Sequence, residues 1–216
     1  MTKIGVFDSG IGGLSVVKAI KKGFPLLEVI FVSDPDNLPY GTKTPDQMEN
    51  LVRPKMLELI EAGCELIVIA CNTVTTNIID RMRAEYPVTF VGMEPMVKPA
   101  SKKTKSRIIT ICATPATLKS NRYEWLKSQY AKDIRVIEPD CSDWTRMIES
   151  DSIDEQRIKD IVDDSCKQGS DVIVLGCTHY HWIEDMIIRL AKGRAEVIQP
   201  EQAIISRLGR LLEQLP

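Results

Sequence analysis

The stretches ELIVIACNT at 65–73 and DVIVLGCTH at 171–179 lie 106 residues apart, and in each an apolar run ends in a cysteine. These runs are continuous rather than alternating, which is typical of strands covered on both faces of a parallel sheet. Six more strands are predicted from similar runs, at 3–7, 28–33, 88–92, 107–112, 134–138 and 195–199. Segments with helical periodicity separate the strands, so the pattern predicts an α/β fold.

Two of the intervening helices are marked by the residues at their ends. Thr44 precedes Pro45 and a periodic apolar stripe, which predicts a helix with Thr44 as its N-cap that ends before Gly63. Pro54 lies inside this pattern and is expected to kink the helix. A second helix is predicted over about 154–167.

The whole chain registers on itself at the same shift of 106 residues. Four strands and one helix of the first half fall on counterparts in the second half, although general similarity among strand–helix–strand units is an alternative explanation. We predict an α/β fold of two pseudo-symmetric domains with mainly parallel sheets and the active site in the cleft between them. The first domain takes residues 1–93 plus the returning segment 196–216, and the second takes residues 94–195.

Composition restricts the possible classes of function. The formal net charge of −2 provides no broad basic surface for nucleic acid or anionic lipid, and the basic cluster from Lys98 to Arg107 is predicted to be a solvated loop. No apolar run approaches the roughly 18 residues of a membrane span, and the N-terminus has no signal-peptide pattern. Six cysteines without close metal-type pairing indicate free thiols. We therefore expect a cytoplasmic protein with no nucleic-acid or membrane partner.

Cys71 and Cys177 coincide under the repeat, and each follows an apolar strand directly. Ligands of open α/β sheets bind outside the carboxyl ends of the strands, so two halves packed face to face would direct both thiols at one cleft. Inversion at a carbon requires such a pair, because one group removes the proton from one face while the other returns a proton to the opposite face. A thiol is suitable, since its reference pKa of about 8.5 is readily tuned toward neutrality.

Three other side chains are candidates to assist these thiols. Asp8 ends the first strand at the same sheet edge as Cys71, His179 lies two residues after Cys177, and Glu149 precedes the second predicted helix. Asp8 and His179 can each orient a thiol or hold the transferred proton. Simpler interpretations remain open: a cysteine after a strand is usually a small core residue, Asp8 can be only a helix cap, and Glu149 can be only a surface carboxylate.

The run DSGIGG at 8–13 follows a strand and opens a helix, but its glycine spacing does not match a dinucleotide-binding fingerprint and no P-loop lysine follows. Its backbone N–H groups next to a helix N-terminus can bind a carboxylate, which suits an amino-acid substrate. A metal site built from Cys71, Cys177, His179 and Asp8 is disfavoured, because these ligands are too scattered for a zinc signature.

These residues lie in motifs that resemble those of the glutamate racemases of the aspartate/glutamate racemase superfamily. The matching motifs run in the family order: DSGIGGLSV at 8–16, PYG at 39–41, ACNT at 70–73, GMEPMVKPA at 92–100, TPATLKSNRY at 114–123 and GCTHY at 176–180. The resemblance implies that glutamate is the substrate, that neither cofactor nor metal is used, that D-glutamate is supplied for peptidoglycan, and that the protein is a homodimer. The periodicity of the sequence alone would not identify the substrate.

The resemblance also assigns roles to single residues. It implies that Cys177 takes the proton from L-glutamate while protonated Cys71 delivers one to the other face, with Asp8, His179 and Glu149 assisting. The substrate contacts carried over are Ser9, Pro39, Tyr40, Gly41, Asn72, Thr73, Thr114, Thr117 and Thr178.

The sequence also departs from the family pattern. The chain is some tens of residues shorter than is usual, and His181 and Trp182 follow GCTHY where a proline and an aliphatic residue are common. Two alternatives remain open: a related enzyme acting on aspartate, a hydantoin or maleate, and a non-catalytic binder or thiol sensor. A sensor would need the two cysteine Cα atoms within about 7 Å of each other to form a disulfide.

Overall fold

The computed structural model describes residues 2–214, which form two four-stranded, fully parallel sheets surrounded by helices. The first sheet has the strand order β2-β1-β3-β4, formed by β1 Lys3–Asp8, β2 Glu28–Ser33, β3 Leu66–Ile69 and β4 Thr89–Gly92. The second has the order β6-β5-β7-β8, formed by β5 Ile108–Ala113, β6 Arg135–Ile137, β7 Val172–Gly176 and β8 Glu196–Ile198. The two orders are equivalent, so the predicted fold of two similar α/β halves is confirmed.

Helices connect and cover these strands. They are α1 Leu14–Gly23, α2 Pro45–Glu61, α3 Asn72–Glu85, α4 Val97–Lys103, α5 Pro115–Leu118, α6 Asn121–Tyr130, α7 Trp144–Glu149, α8 Glu155–Lys167, α9 Glu184–Ala191 and α10 Glu201–Leu212. The predicted start of α2 is confirmed, because Thr44 and Gln47 form a reciprocal capping box and Pro45 occupies the first helical position. The helix continues through Pro54 without interruption.

The basic cluster is not the loop that the sequence predicts. Residues 97–103 form α4, and only the remainder of the cluster lies outside a helix. Val97 and Ala100 are buried in an apolar cluster against β5 and β7, while Lys102 and Lys103 face solvent. Burial of one helical face thus stabilises a segment whose polar composition suggests a loop.

The predicted domain boundary at residue 196 is wrong by one strand. Residues Glu196–Ile198 pair with β7 and complete the second sheet, so the chain returns to the first half only after them. Ile204 and Leu208 of α10 are then buried with Val16 and Ile20 of α1 in the core of the first half. Residues 1, 215 and 216 of the predicted first domain lie outside the described residues.

The parallel topology places the chemically important positions at one edge of each sheet. Asp8 is the last residue of β1, and Cys71 follows the neighbouring strand β3. Cys177 follows β7, and Thr114 follows the neighbouring strand β5. Within residues 2–214, no helix has both the length and the apolar character needed to cross a membrane.

Candidate active site

Cys71 lies at the junction of β3 and α3 and is almost completely buried, with 4% of its surface exposed. Its Sγ lies 3.5 Å from the hydroxyl of Ser9, which follows β1. Burial, together with the negative charge of Asp8, raises the pKa of Cys71 to about 12. Cys71 is therefore held as a neutral thiol, the form that can donate a proton.

Cys177 lies between β7 and the 3₁₀ segment Thr178–Ile183, and it is buried to a similar degree. Its Sγ lies 3.7 Å from Nδ1 of His179 and 3.9 Å from the hydroxyl of Thr145. Thr145 belongs to α7 and is missing from the sequence-based set of site residues. No motif marks it, because only the packing of α7 brings it to the sulfur.

The buried His179 and the partly exposed Glu149 form a pair next to Cys177. Nε2 of the imidazole lies 2.5 Å from Oε1 of Glu149. Burial alone would lower the pKa of His179, but the hydrogen bonds to Cys177 and Glu149 outweigh it and raise this pKa to about 10. The hydrogen bond from His179 in turn lowers the pKa of Glu149. The pair is therefore a protonated imidazole and a carboxylate at neutral pH.

Glu149 also connects the two halves of the molecule. It ends α7 in the second half, and its Oε1 accepts a hydrogen bond of 2.9 Å from the backbone N–H of Ile11 in the first half. The alternative interpretation of Glu149 as only a surface carboxylate does not fit these contacts. The structure places it in contact with His179, whose pKa it raises, and with the backbone of the first half.

Asp8 is fully buried and uses its two oxygens in different ways. Oδ2 accepts hydrogen bonds from the backbone N–H groups of Gly10, at 3.3 Å, and Gly13, at 2.9 Å, so Asp8 does cap the following turn. Oδ1 accepts a bond of 3.1 Å from the hydroxyl of Thr178, which is adjacent to Cys177. Burial raises the pKa of Asp8. The helix-capping and active-site interpretations of this residue are therefore compatible.

The glycines of the DSGIGG run allow the halves to approach closely. A Cβ atom at Gly12 would lie 2.7 Å from the backbone nitrogen of His179, and one at Gly10 would overlap the carboxylate of Glu149. The N–H groups of Gly10, Ile11 and Gly13 bond carboxylates, as the sequence suggests, but these belong to Asp8 and Glu149. These three N–H groups are therefore already used within the protein.

A second polar cluster joins the halves on the other side. The hydroxyl of Thr73 in α3 lies 2.8 Å from that of Thr114, which in turn donates a bond of 3.0 Å to the hydroxyl of Thr117 in α5. Gly41 packs so closely on Thr114 that a Cβ there would lie 2.9 Å from the threonine Cβ. Four of the predicted substrate-contact residues therefore meet at this point.

Asn72 follows Cys71 directly and has a side-chain amide that is unpaired within residues 2–214. Its side chain is 1% exposed, and neither its amide nitrogen nor its amide oxygen has a hydrogen-bond partner among the described residues. A buried polar atom without a partner costs about 1–3 kcal/mol, so the amide of Asn72 is a candidate ligand-binding group.

Tyr40 and Pro39 occupy the loop that carries Gly41. The Tyr40 hydroxyl already donates a hydrogen bond of 2.7 Å to Asp34, and the Leu38–Pro39 peptide bond is cis. The Tyr40 hydroxyl is thus used inside the first half rather than left free for substrate. Asp34, which fixes this loop, is a second residue that sequence reasoning missed.

A cavity of about 600 Å³ lies beside this second cluster and is lined by both halves. Its walls include Gly41 and Lys43 from one half and Pro115 and Lys119 from the other. Neither lysine forms an ion pair among residues 2–214. The cavity therefore carries, on the wall from each half, a lysine that is unpaired in the described part of the chain.

The cysteines and acidic residues show no metal-binding arrangement. In the described part of the chain, no group of three His, Cys, Asp or Glu side chains is placed to hold a metal ion. All six cysteines are free thiols.

Each of the two similar α/β halves carries a buried cysteine after an equivalent strand, an arrangement that fits the class of amino-acid racemases, which are isomerases. Comparison with known proteins agrees: the sequence model of the Asp/Glu/Hydantoin racemase family matches residues 4–208. The chain belongs to this family.

Individual relatives extend this result. The chain is 35% identical to glutamate racemase from Herpetosiphon aurantiacus over 97% of its own length and 84% of that protein. It is 36% identical to glutamate racemase from Methylococcus capsulatus over 97% of its own length and 79% of that protein. The structure is similar to that of Escherichia coli glutamate racemase in complex with L-glutamate and the activator UDP-MurNAc-Ala, with a TM-score of 0.90 at 27% identity, covering 98% of this chain and 82% of that one.

Proposed function

We propose that the chain interconverts L- and D-glutamate, with Cys71 and Cys177 as the two acid/base groups and without a cofactor. The observation that carries the proposal is the position of these two buried thiols after equivalent strands of the two halves, which the Asp8–Thr178 hydrogen bond joins. The names of the relatives, and the L-glutamate bound in the E. coli structure, support glutamate as the substrate.

The two thiols have different surroundings. Cys177 lies beside the protonated ring of His179, which can stabilise negative charge that develops on the sulfur during proton transfer. Cys71 lies in a buried site with the Asp8 charge nearby, which raises its pKa and favours the neutral thiol. We therefore assign Cys177 as the base and Cys71 as the acid in the direction from L- to D-glutamate.

In the direction from L- to D-glutamate, the Cys177 thiolate removes the α-proton. An S–H bond forms as the C–H bond breaks, and the electron pair stays on the α-carbon. The carbon then takes a proton from the Cys71 thiol on the opposite face, leaving a Cys71 thiolate. The reverse reaction exchanges the two roles.

The surrounding polar groups support this exchange. His179 stabilises charge at Cys177 and is itself held by Glu149, while Asp8 acts on Cys71. Asn72, Thr73 and Thr178 offer amide and hydroxyl groups to the substrate's amino and carboxylate groups. The amide of Asn72 is the best-supported contact, because neither of its polar atoms has a partner among the described residues. These roles correspond to the assignments that the sequence resemblance implies.

The proposal includes a cellular role. D-glutamate is a component of peptidoglycan, and we place the enzyme in the cytoplasm, where thiols are kept reduced. The six free cysteines are compatible with that location. The homodimer remains a prediction.

The test is incubation of the reduced, metal-stripped protein with L-glutamate in D₂O, followed by optical rotation and α-deuterium content. We expect rotation to be lost while deuterium enters the product, without any added cofactor. Cys71→Ser and Cys177→Ser should each abolish racemisation, whereas the matched control Cys166→Ser, in α8, should retain it.

Several results would contradict the proposal. Wild-type turnover in either active-site variant would exclude the two-thiol mechanism. No change in rotation with folded, reduced wild-type protein would exclude glutamate. A parallel incubation with L-aspartate then separates a different substrate from a protein without racemase activity.

A further inference from the structure

His181 lies at a junction of three elements that the proposed chemistry does not use. It belongs to the 3₁₀ segment Thr178–Ile183 of the second half, and its side chain is 2% exposed. Its Nδ1 lies 3.2 Å from the hydroxyl of Ser15 in α1 and 3.1 Å from Oε1 of Glu201 in α10. Both of these helices belong to the first half, so one imidazole from the second half is inserted between them.

The partners determine which atom of the ring carries a proton. Burial raises the pKa of Glu201, but hydrogen bonds from His181 and Ser15 outweigh it and hold this pKa below its usual range. The carboxylate is therefore ionised and can only accept hydrogen bonds, so Nδ1 of His181 must be the donor. Nε2 is buried and has no partner among the described residues.

We propose that Ser15, His181 and Glu201 form a latch that holds the catalytic segment of the second half against the first half. His181 is only four residues beyond Cys177 along the chain, and Ser15 is seven residues beyond Asp8. The three residues act as positioning residues: they do not touch the reacting atoms, but they fix the two segments that carry them.

The need for such a latch follows from the burial of the site. Only 4% of Cys71 and 6% of Cys177 is exposed, so substrate enters and product leaves only when the halves separate. On the Cys177 side, the other described contacts between the halves include the Thr178–Asp8 and Ile11–Glu149 hydrogen bonds. Loss of a hydrogen bond to a charged group changes an equilibrium by roughly tenfold to a hundredfold, so removing the latch should raise the open population by that factor.

The test measures opening directly, through the rate at which iodoacetamide labels each cysteine of the full-length protein, quantified by peptide mass spectrometry. We expect His181→Ala to speed labelling of Cys71 and Cys177 at least tenfold. Labelling of Cys112 should not change, because this cysteine is buried in β5 and becomes accessible only when the second half unfolds. It provides an internal control for global unfolding.

Conservative variants separate the latch from simple packing. In His181→Asn the side-chain amide nitrogen occupies the place of Nδ1, so slow labelling should return. In His181→Gln the amide reaches the place of Nε2 instead, so fast labelling should remain. Trp182→Ala is the matched control, since this neighbouring side chain is 52% exposed and has no part in the latch.

Turnover provides a second measurement and rests on the proposed function. Loosening the latch should lower kcat for glutamate, and His181→Asn should restore it. If the wild-type protein does not racemise glutamate but the labelling pattern holds, the proposed function fails and the latch stands. Equal labelling rates in wild type and His181→Ala, or no rescue by asparagine, would overturn the latch. If His181→Ala does not fold, Glu201→Ala, which changes a side chain 21% exposed, serves in its place.

Discussion

Replacing Glu149 with glutamine should isolate the electrostatic part of the site. Glutamine keeps an oxygen that can accept the hydrogen bonds from Ile11 and from Nε2 of His179, so the geometry should be retained while the negative charge is lost. The hydrogen bond between His179 and Glu149 is one of the interactions that raise the pKa of this histidine from 6.5 to about 10. In the variant, His179 should therefore lose its proton at a lower pH.

The expected change in the pKa of His179 follows from the energetics of its hydrogen bond with Glu149. A hydrogen bond to a charged group contributes about 1.5–3 kcal/mol and a neutral one about 0.5–1.5 kcal/mol. The difference is on the order of 1–2 kcal/mol, and about 1.4 kcal/mol corresponds to one pKa unit. The pKa of His179 should fall by about one unit. Because the protonated form is lost as pH rises through this pKa, the ratio of wild-type to variant activity should increase on the alkaline side.

The assay is an NMR titration of the imidazole resonances, which is simple because the chain has only two histidines. A His181→Asn background leaves His179 as the single signal. Glu155→Gln is the matched control, since this exposed carboxylate of the same half pairs only with Arg189 among the described residues. If His179 titrates at the same pH with glutamate and with glutamine at position 149, Glu149 does not set its charge and the reasoning is refuted.

Three more outcomes are expected. Gly12→Ala should lower kcat/KM for glutamate by about a hundredfold, because the new Cβ would lie 2.7 Å from the backbone nitrogen of His179 and force the halves apart. The control Gly209→Ala, whose Cβ would lie 3.7 Å from its nearest neighbour, should leave kcat/KM unchanged. Equal kcat/KM values for the two variants would contradict this prediction. The double variant Lys43→Glu/Lys119→Glu should raise KM for glutamate roughly two- to tenfold at low ionic strength and leave kcat unchanged. Added salt should reduce this difference in KM. A KM that does not depend on salt in either the wild type or the variant would count against a role of these charges in substrate binding. The raised pKa of His179 should add to the free energy of unfolding fully below pH 6.5, and this contribution should disappear as pH rises through about 10. In urea denaturation, the free energies of unfolding of wild type and His179→Gln should therefore differ most at low pH. A difference that grows with pH would contradict this prediction.

The positions of the strands and of the two cysteines could be predicted because both depend on local pattern. Continuous apolar runs give buried parallel strands, and a polar residue directly after such a run lies at the carboxyl edge of the sheet. Asp8, Cys71 and Cys177 are in these positions in the structure. The errors occur where packing overrides local pattern: α4 forms in a lysine-rich segment, and β8 joins the second sheet rather than the first.

The sequence by itself determined where the strands lie along the chain, the equivalence of Cys71 and Cys177, and the family of the protein. Only the tertiary structure decided how the halves meet: that Thr145 reaches Cys177, that Glu149 contacts Ile11, and that His181 lies between Ser15 and Glu201. The physical reason is that strand formation reflects apolar side chains close together in the chain, whereas these contacts join residues far apart in it. Their distances, and the charges that depend on them, are fixed only when the two halves pack together.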